Sequence, residues 1–448
     1  VKEAIHAKEN DFVNIIAISG EGDFENNIKI VEAFLNAKEN LIDPVYKARI
    51  EQIKRGGIPE GYEKTPFGIF PCDWDKSTLK KLGKFAKGKG IPGKEMKNEG
   101  IPCVSYGDIY MKYNYHFNQA KSFIDRTTAD ESIQVGRNTL LFTGTGETAE
   151  EIGKCVCYTG SDDIYVGGDI IIFSSVEVSP VFIAYQQYLP FAIKQKSGFG
   201  QGHSVVHIYK SDLEKLYCAY PKSKAEQEKI AEILQEQDRL IELKEKLIEE
   251  KKKQKQYLME VLLTGKVRLP GFTDEWITDK LKNHIRVLNG FAFQSSSYER
   301  EGKFKVITIK NVKENSFNTE DCDKISVLPE GIQTHQLLKI GDILMSLTGN
   351  VGRVCIVNEK DCLLNQRVAK VVCLNQNETG WIVQLLNRKH FVIEMQNCSS
   401  GAAQANLSVG SIYDYAFVSP KNKDEKIAIA DILIKADDEL DLLQKELE

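Results

Sequence analysis

The sequence predicts an α+β protein made of two repeated α/β domains, separated and followed by long helices that pair antiparallel. Three observations predict this class. The chain repeats itself at an offset of about 200 residues. Each repeat alternates short β-branched and aromatic runs with Gly, Asn and Asp turns. Two long helical stretches then carry the same apolar stripe. A chain of 448 residues is also too long for one ordinary core.

The repeat consists of segment pairs that occur in the same order in both halves. Residues 221–234, PKSKAEQEKIAEIL, match residues 420–433, PKNKDEKIAIADIL, without a gap. The other pairs are 71–82 with 273–281, 135–144 with 340–349, and 197–208 with 400–412. Because chance does not produce several collinear pairs, we interpret the repeat as a duplication, and we favour a functional duplication over a purely structural one.

The repeat sets the expected boundaries. Pro44 follows Asp43, as at the start of a helix, and Gly56-Gly57 would end that helix after Lys54; residues 24–38 also have a helical pattern. The predicted segments are a helical extension (1–57), a first domain (58–221), a long central helix (222–265), a second domain (266–420) and a final helix (421–448).

Both long helices carry apolar residues at the spacing of a coiled-coil seam. The first runs from about residue 225 to residue 263 without Gly or Pro, a length of roughly 57 Å. Such a helix is too long to pack on one domain only, and a second helix with the same stripe supplies a partner in an antiparallel, two-fold symmetric pair. The predicted seam comprises Ile230, Leu234, Ile241, Ile248, Ile429, Leu433, Leu440 and Leu447.

Composition excludes several classes of protein. There is no apolar run long enough for a membrane span and no signal-peptide pattern, so we expect a cytoplasmic protein with no membrane partner. The ten cysteines include no C-x-x-C pair, which favours reduced thiols over disulfides or zinc. The net charge of −5 excludes a uniformly basic surface, so contact with DNA must come from local patches or from a partner.

Two glycine-rich segments resemble nucleotide-binding loops. Residues 88–94 fit G-x-x-x-x-G-K, but Glu95 stands where a P-loop needs Ser or Thr. Residues 144–149 resemble a dinucleotide fingerprint, but the second repeat breaks the spacing, which favours a tight turn. With no metal-ligand pattern either, the sequence predicts a protein that is not an enzyme and that binds no metal or cofactor itself.

Clustered lysines and nearby aromatic residues give the one positive chemical signal. Residues 76–97 hold eight lysines and one acid, Glu95, and tyrosines follow; amide, aromatic and basic residues recur in the second repeat. Such a mixture suits phosphate contacts together with base reading. The candidate DNA-binding residues are Lys87, Lys89, Tyr106, Tyr110, Lys112, Tyr113, Gln201, His203, Asn289, Phe291, Gln294, Lys310, Asn311, Lys313, Asn350, Arg353, Gln404 and Asn406.

Several of these segments are similar to one known family. Residues 200–203 with 221–234, residues 403–404 with 420–433, and residues 341–353 and 364–367 resemble the specificity subunit of type I restriction-modification systems. The resemblance covers about residues 58–448. Two departures stand out: Gln227 is replaced by Lys426 in the second repeat, and the final helix is shorter than the first.

The resemblance implies a function. Each domain would be a target-recognition domain that reads one half of a bipartite, asymmetric double-stranded DNA target, and the helix pair would be a fixed spacer. The subunit itself would be non-catalytic and would recruit two modification subunits, which methylate DNA with S-adenosylmethionine, and restriction subunits, which use ATP and Mg²⁺. Two alternatives stay open: a coiled-coil scaffold without DNA function, and a nucleotide-binding enzyme that uses residues 88–94 or 144–149.

Overall fold

The computed structural model describes residues 44–202, 205–399 and 406–447. The chain divides into a first compact unit that ends at Glu242 and a second that begins at Leu243. The first unit contains the first domain, and the second unit contains the second domain. The predicted helix after Asp43 is confirmed as Pro44–Lys54. The helix predicted over residues 24–38 lies outside the described residues.

The α-helices are numbered in chain order. They are α1 Pro44–Lys54, α2 Leu79–Leu82, α3 Tyr106–Met111, α4 Arg126–Asp130, α5 Pro180–Gln186, α6 Pro190–Phe199, α7 Lys210–Leu213, α8 Lys224–Leu262, α9 Thr379–Leu386, α10 Lys389–Ser399, α11 Val409–Asp414 and α12 Lys423–Leu447. Short 3₁₀ turns lie at Gly93–Glu95, Leu281–Asn283, Ser295–Ser297, Thr334–Gln336 and Gln376–Glu378.

The first domain is built on two main sheets, with strand orders β4-β13-β9-β11-β6 and β7-β5-β12-β8. Smaller sheets pair β3 with β15, β10 with β14 and β1 with β2. The strands are β1 Tyr62–Thr65, β2 Gly68–Pro71, β3 Asp75–Thr78, β4 Lys84–Lys87, β5 Ile101–Val104, β6 His116–Phe117, β7 Ser122–Ile124, β8 Ile133–Val135, β9 Thr139–Thr143, β10 Thr145–Gly146, β11 Cys155–Tyr158, β12 Ile164–Val166, β13 Ile170–Ser174, β14 Val206–His207 and β15 Tyr217–Tyr220.

The second domain repeats this topology. Its main sheets have the orders β17-β26-β23-β24 and β21-β18-β25-β22, and β16 pairs with β27 as β3 pairs with β15. A further small sheet joins β19 and β20. The strands are β16 Trp276–Lys280, β17 Ile285–Asn289, β18 Phe304–Ile307, β19 Val312–Lys313, β20 Ser316–Phe317, β21 Asp323–Ile325, β22 Leu337–Leu338, β23 Ile343–Ser346, β24 Val354–Ile356, β25 Cys362–Leu364, β26 Val368–Cys373 and β27 Ala416–Pro420. The predicted two-domain α+β duplication is confirmed.

Each core forms where short apolar strands meet a helix. Every residue of β9 is buried, and Leu140 and Phe142 pack in one cluster with Phe182 of α5. In the second domain Met345 of β23 packs in one cluster with Trp381 of α9. Runs such as TLLFT and ILMS have no polar face because both faces of the strand are covered, which is the pattern of a central strand.

The first turns of helix α8 are fixed to the first domain by a buried amide. Gln227 is 1% exposed; its Oε1 accepts from the N–H of Ser179 at 2.7 Å and its Nε2 donates to the carbonyl of Pro221 at 2.8 Å. Ala231 packs in the adjoining core, and the Tyr185 hydroxyl donates to Asp238 at 2.5 Å. The amide thus satisfies two backbone groups that burial would otherwise leave unpaired.

In the second unit, α8 and α12 lie antiparallel, as predicted. Lys244 pairs with Glu446 at 3.0 Å and Lys251 with Glu439 at 2.6 Å. Lys255 contacts Asp437, whose second oxygen accepts from Gln384. Residue numbers rise on α8 as they fall on α12, which is the signature of an antiparallel pair.

The predicted seam is confined to part of its expected length. Leu433 and Ile429 are fully buried in the second-domain core, and Leu440 and Ile248 are also buried. Leu447 and Ile230 are half-buried, and Ile230 packs on the first-domain core. By contrast, Leu234 and Ile241 are 36% and 47% exposed. Burial of these two residues is therefore not borne out in the described structure, and the ion pairs that join α8 to α12 lie at residues 244–255 of α8.

In the second repeat Lys426 replaces Gln227, and a nearby carboxylate pairs with the buried charge. Lys426 is 6% exposed, and its ammonium lies 3.5 Å from Glu378. His284 also contacts Glu378 at 3.0 Å, and its other nitrogen contacts Asp279 at 2.9 Å. Glu425, which is fully buried, accepts a bidentate pair from Arg268. Ion pairs therefore join the start of α12 to the second domain, where a neutral amide joins the start of α8 to the first.

Candidate nucleic-acid interface

In the first domain, separate chain segments meet around a pocket of about 480 Å³. They are the end of β4, the start of β10, the turn before β13, and the stretch from β14 into α7. The residues that line the pocket are Lys87, Gly144, Thr145, Asp169, Ile171, His207, Ile208, Tyr209, Lys210, Ser211 and Glu214. The volume lies in the range of small-molecule sites and suits a group such as a nucleobase edge.

Backbone hydrogen bonds hold these segments together. The N–H of Gly144 donates to the carbonyl of Asp169 at 2.7 Å, and the N–H of Ile208 donates to the carbonyl of Gly144 at 3.0 Å. Gly88 approaches the opposite turn so closely that a Cβ would lie 2.0 Å from the carbonyl oxygen of Gly167. Glycine is therefore required at this position by close packing of backbone on backbone.

The pocket carries charges of both signs. Glu214 is neutralised by Lys80 at 3.3 Å and Lys210 at 3.8 Å. Lys87 and Asp169 are both exposed, and neither side chain makes an ion pair or a hydrogen bond with another described residue. They are thus available to a ligand as a free donor and a free acceptor.

The second domain repeats the same backbone contacts. The N–H of Leu347 donates to the carbonyl of Arg367 at 3.0 Å, and the N–H of Leu407 donates to the carbonyl of Leu347 at 2.8 Å. Likewise, the N–H of Phe291 donates to the carbonyl of Leu364, as that of Lys89 does to the carbonyl of Val166. Three backbone hydrogen bonds of the first site thus have an equivalent in the second.

This equivalence pairs the side chains of the two sites. Lys87 faces Ile171 across its strand pair, and Asn289 faces Ala369. Thr145 pairs with His207, and Thr348 pairs with Asn406. The corresponding residues are thus Lys87 and Asn289, Asp169 and Arg367, Thr145 and Thr348, and His207 and Asn406.

The structural register corrects the sequence alignment at two places. Gly144 corresponds to Leu347 and not to Gly349, and Asn406 corresponds to His207 and not to His203. The alignment was displaced because Thr-Gly occurs twice in a row, at 143–144 and 145–146, and only the second pair matches Thr348-Gly349. The hydroxyls of Thr145 and Thr348 are both buried without a hydrogen-bond partner among the described residues.

Most of the described candidate residues are at the surface. The exposed ones are Lys87, Lys89, Tyr106, Lys112, Gln201, Asn289, Gln294, Lys310, Lys313, Asn350 and Asn406. Arg353 and Phe291 are half-buried, and the Phe291 ring packs edge-on against Phe293. His203 and Gln404 lie outside the described residues. Exposure keeps a DNA contact open for the first group but does not assign one.

Several candidates are instead parts of the scaffold. The Tyr110 hydroxyl lies 2.9 Å from the Thr143 hydroxyl and donates to the carbonyl of Thr145, and burial raises its pKa. Tyr113 is 5% exposed, and burial raises the pKa of its hydroxyl to about 12. The predicted base-reading roles of these two tyrosines are wrong, because their hydroxyls and rings are already engaged inside the domain.

Asn311 is engaged inside the domain in the same way, whereas Lys112 is exposed and ion-paired. Asn311 is 3% exposed; its Oδ1 accepts from the N–H of Thr308 at 2.9 Å and its Nδ2 donates to the carbonyl of Asn318. Lys112, although exposed along its stem, lies 2.7 Å from Asp108. Burial disfavours the charged form of Asp108, but the hydrogen bonds from Lys112, Ser105 and Ser122 together outweigh it and hold the pKa of the carboxyl below its usual value. Asn311 is therefore a turn-forming residue, and the prediction that it reads bases is wrong.

The sequence analysis did not identify Asp169, Arg367 or His207 as members of the site. The signal was present: Gly167-Gly-Asp169 and Asn365-Gln-Arg367 each precede a buried β-strand at the same place in their repeat. Comparing charges at such matched turns would have found the reversal from Asp169 to Arg367.

Three N–H groups of the glycine segments are already engaged in the fold and cannot bind phosphate. The N–H groups of Gly88 and Lys89 already donate to the carbonyls of Ile170 and Val166, and that of Gly144 donates to the carbonyl of Asp169. Across residues 44–202, 205–399 and 406–447 there is no cluster of three or more potential metal ligands. None of the helices in these ranges combines the length and hydropathy needed to cross a bilayer.

Two curated proteins of Methanocaldococcus jannaschii are similar to this chain. It is 26% identical over 284 residues to the type I restriction enzyme MjaVIII specificity subunit, covering 58% of this chain and 65% of that protein. It is 26% identical over 259 residues to the putative type I restriction enzyme MjaX specificity subunit, covering 55% of each. The matches thus span less than two thirds of either relative.

Solved structures and a family model complete the comparison. The S subunit of a type I restriction-modification system from M. genitalium has the same fold, with a TM-score of 0.53 and 17% identity over 86% of this chain and 95% of that one. A second solved chain comes from a study of complex assembly and conformational transition of the type I R-M system. Its TM-score is 0.51 and its sequence identity is 14%, over 84% of this chain and 93% of that one. The model of the type I restriction modification DNA specificity domain matches residues 71–252 and 273–448. The chain therefore belongs to the family of type I restriction modification DNA specificity domain proteins.

Proposed function

We propose that this chain is the sequence-specific DNA-recognition subunit of a type I restriction-modification complex, and that each domain reads one half of a bipartite, asymmetric target. The observation that carries the proposal is the duplicated site. The same backbone hydrogen bonds recur in both domains, while the side chains on them differ. A scaffold kept constant beneath changed donors and acceptors is what reading two different half-sites requires.

The helices supply the second part of the proposal. Helix α8 is continuous over 39 residues and therefore about 58 Å long. It is anchored at its start by Gln227 and at its end by packing in the second-domain core. We infer that the paired helices act as a stiff spacer that sets the number of unread base pairs between the half-sites.

The partners follow from family membership and charge. With a net charge of −5, the chain neutralises little of the DNA backbone unaided. We propose that two DNA-methyltransferase subunits close around the DNA, that restriction subunits join them in the cytoplasm, and that this chain stays non-catalytic. S-adenosylmethionine, ATP and Mg²⁺ would then serve the partner subunits only.

Mapping of methylated bases tests the proposal. Long-read sequencing of the source genome, with the gene intact and deleted, should show one bipartite, asymmetric methylated motif that disappears in the deletion and returns on complementation. An unchanged set of methylated motifs would contradict the proposal. If the complex assembled with this chain bound no DNA at all, a coiled-coil scaffold without DNA function would be favoured instead.

A further inference from the structure

Asp169 and Arg367 occupy the same position in the two domains and carry opposite charges. Each backbone carbonyl accepts the N–H of the equivalent residue on the neighbouring segment, Gly144 or Leu347. Each residue also lies in the turn directly before a buried strand, β13 or β26. The backbone role is thus conserved between the domains, whereas the side-chain charge is reversed.

Both side chains are accessible to solvent. Asp169 and Arg367 are exposed, and neither side chain makes a hydrogen bond or an ion pair with a described residue. Elsewhere in the same domains, exposed charges do pair, as Lys97 does with Asp125 at 2.8 Å. The carboxylate of Asp169 and the guanidinium of Arg367 are therefore both accessible to a ligand.

Each charge has a fixed polar neighbour. Lys87 faces Ile171 across its strand pair, and Asp169 lies in the turn two residues before Ile171. Both line the pocket. In the second domain Asn289 faces Ala369, and Arg367 lies two residues before it. The site of the first domain therefore offers a cation and a carboxylate, and that of the second offers an amide and a guanidinium.

These pairs match different base edges in the major groove. A guanine presents the N7 and O6 acceptors that suit lysine or arginine, its cytosine presents the N4 donor that suits a carboxylate, and an adenine presents the N7 and N6 groups that suit an amide. The pair in the first domain thus complements both bases of one G·C pair. The pair in the second domain complements an adenine together with a guanine.

We propose that Asp169 and Arg367 are specificity-determining residues of the two half-sites. Asp169 with Lys87 reads a G·C base pair, and Arg367 with Asn289 reads a guanine beside an adenine. The inference rests on the proposed function, because it identifies which side chains select the sequence that the DNA-recognition subunit binds.

The test uses the full chain assembled with its methyltransferase subunit and equilibrated with a randomised duplex library, followed by sequencing of the bound DNA. Asp169→Asn should lower discrimination about 5- to 150-fold at one G·C position of one half-site and leave the other half unchanged. Arg367→Gln should do the same at a guanine of the other half-site. Lys84→Gln is the matched control, because Lys84 is exposed on the same strand as Lys87 and faces the other side of it.

The possible outcomes distinguish failure of this inference from failure of the proposed function. If the wild-type complex selects a bipartite motif and neither variant changes it, the inference is overturned and the proposed function stands. If the wild-type complex selects no sequence, the proposed function itself fails. A charge-retaining variant, Arg367→Lys, guards against loss of folding: it should keep the guanine with reduced discrimination, and an unaltered profile would count against a bidentate contact.

Discussion

The internal repeat allows one leucine to be tested against its own counterpart. Leu433 in α12 corresponds to Leu234 in α8, since residues 221–234 match residues 420–433 without a gap. Leu433 is fully buried, whereas Leu234 is 36% exposed. Leu433→Ala should lower the free energy of unfolding by about 2–5 kcal/mol, because it removes buried methyl groups and leaves a cavity. Leu234→Ala should cost no more than about 1 kcal/mol.

The two units allow the effect to be located. Trp276 and Trp381 lie in the second unit and Trp74 in the first, so urea titrations followed by tryptophan fluorescence report mainly on the unit that Leu433 stabilises. For a unit of this size, about 3 kcal/mol corresponds to a fall in Tm of roughly 6–12 °C. The midpoint should fall with no change in slope. Equal shifts for the two variants, or none for Leu433→Ala, would refute the inference that the described burial governs stability here.

Three further predictions concern charge. Burial raises the pKa of Glu378, but the hydrogen bond from His284 and the nearby charge of Lys426 together outweigh it, and the pKa is lowered overall. The stability that this carboxylate contributes is therefore present near neutral pH and is lost as the pH falls from about 5 to 3, and Glu378→Gln should flatten that part of the stability curve measured by urea titration. Asp437→Asn should lower the free energy of unfolding by about 3–5 kcal/mol, because it leaves the Lys255 side chain, 6% exposed, as an uncompensated buried ammonium. Glu446 is exposed, so Glu446→Gln should lower the free energy of unfolding by under about 1 kcal/mol in the same assay. The isolated chain should bind DNA weakly and lose affinity steeply with added salt in fluorescence anisotropy; tight, salt-independent binding would contradict the reliance on partners.

Sequence alone predicted the fold well because the signals for it are local in sequence and occur in both repeats. Turn residues, buried strands such as β9 and the start of α12 each recur at the same place in both halves, so one repeat checks the other. The seam was predicted less well. The stripe continues through Leu234 and Ile241, but a stripe shows only that a helix has an apolar face and does not show which element covers it.

The residues of the candidate site were also predicted correctly in part and incorrectly in part. Lys87 was predicted from the lysine cluster and Asn289 from the corresponding stretch of the second repeat, and the structure places them at equivalent ends of β4 and β17. Tyr110 and Asn311 were misassigned because composition cannot distinguish a polar side chain that faces solvent from one that satisfies a buried backbone group. That distinction depends on contacts between residues far apart in sequence, such as Tyr110 with Thr145.

Each domain begins and ends on paired strands. Asp75 of β3 lies opposite Tyr220 of β15, and Trp276 of β16 lies opposite Pro420 of β27. Entry and exit of each domain are therefore adjacent, and a long helix follows directly. A domain closed in this way is a replaceable module: a different one could be inserted between the same flanking residues, or new termini opened elsewhere, without displacing the helices. Under the proposed function, exchange of a whole domain would give the chain a new target while its helices stay the same.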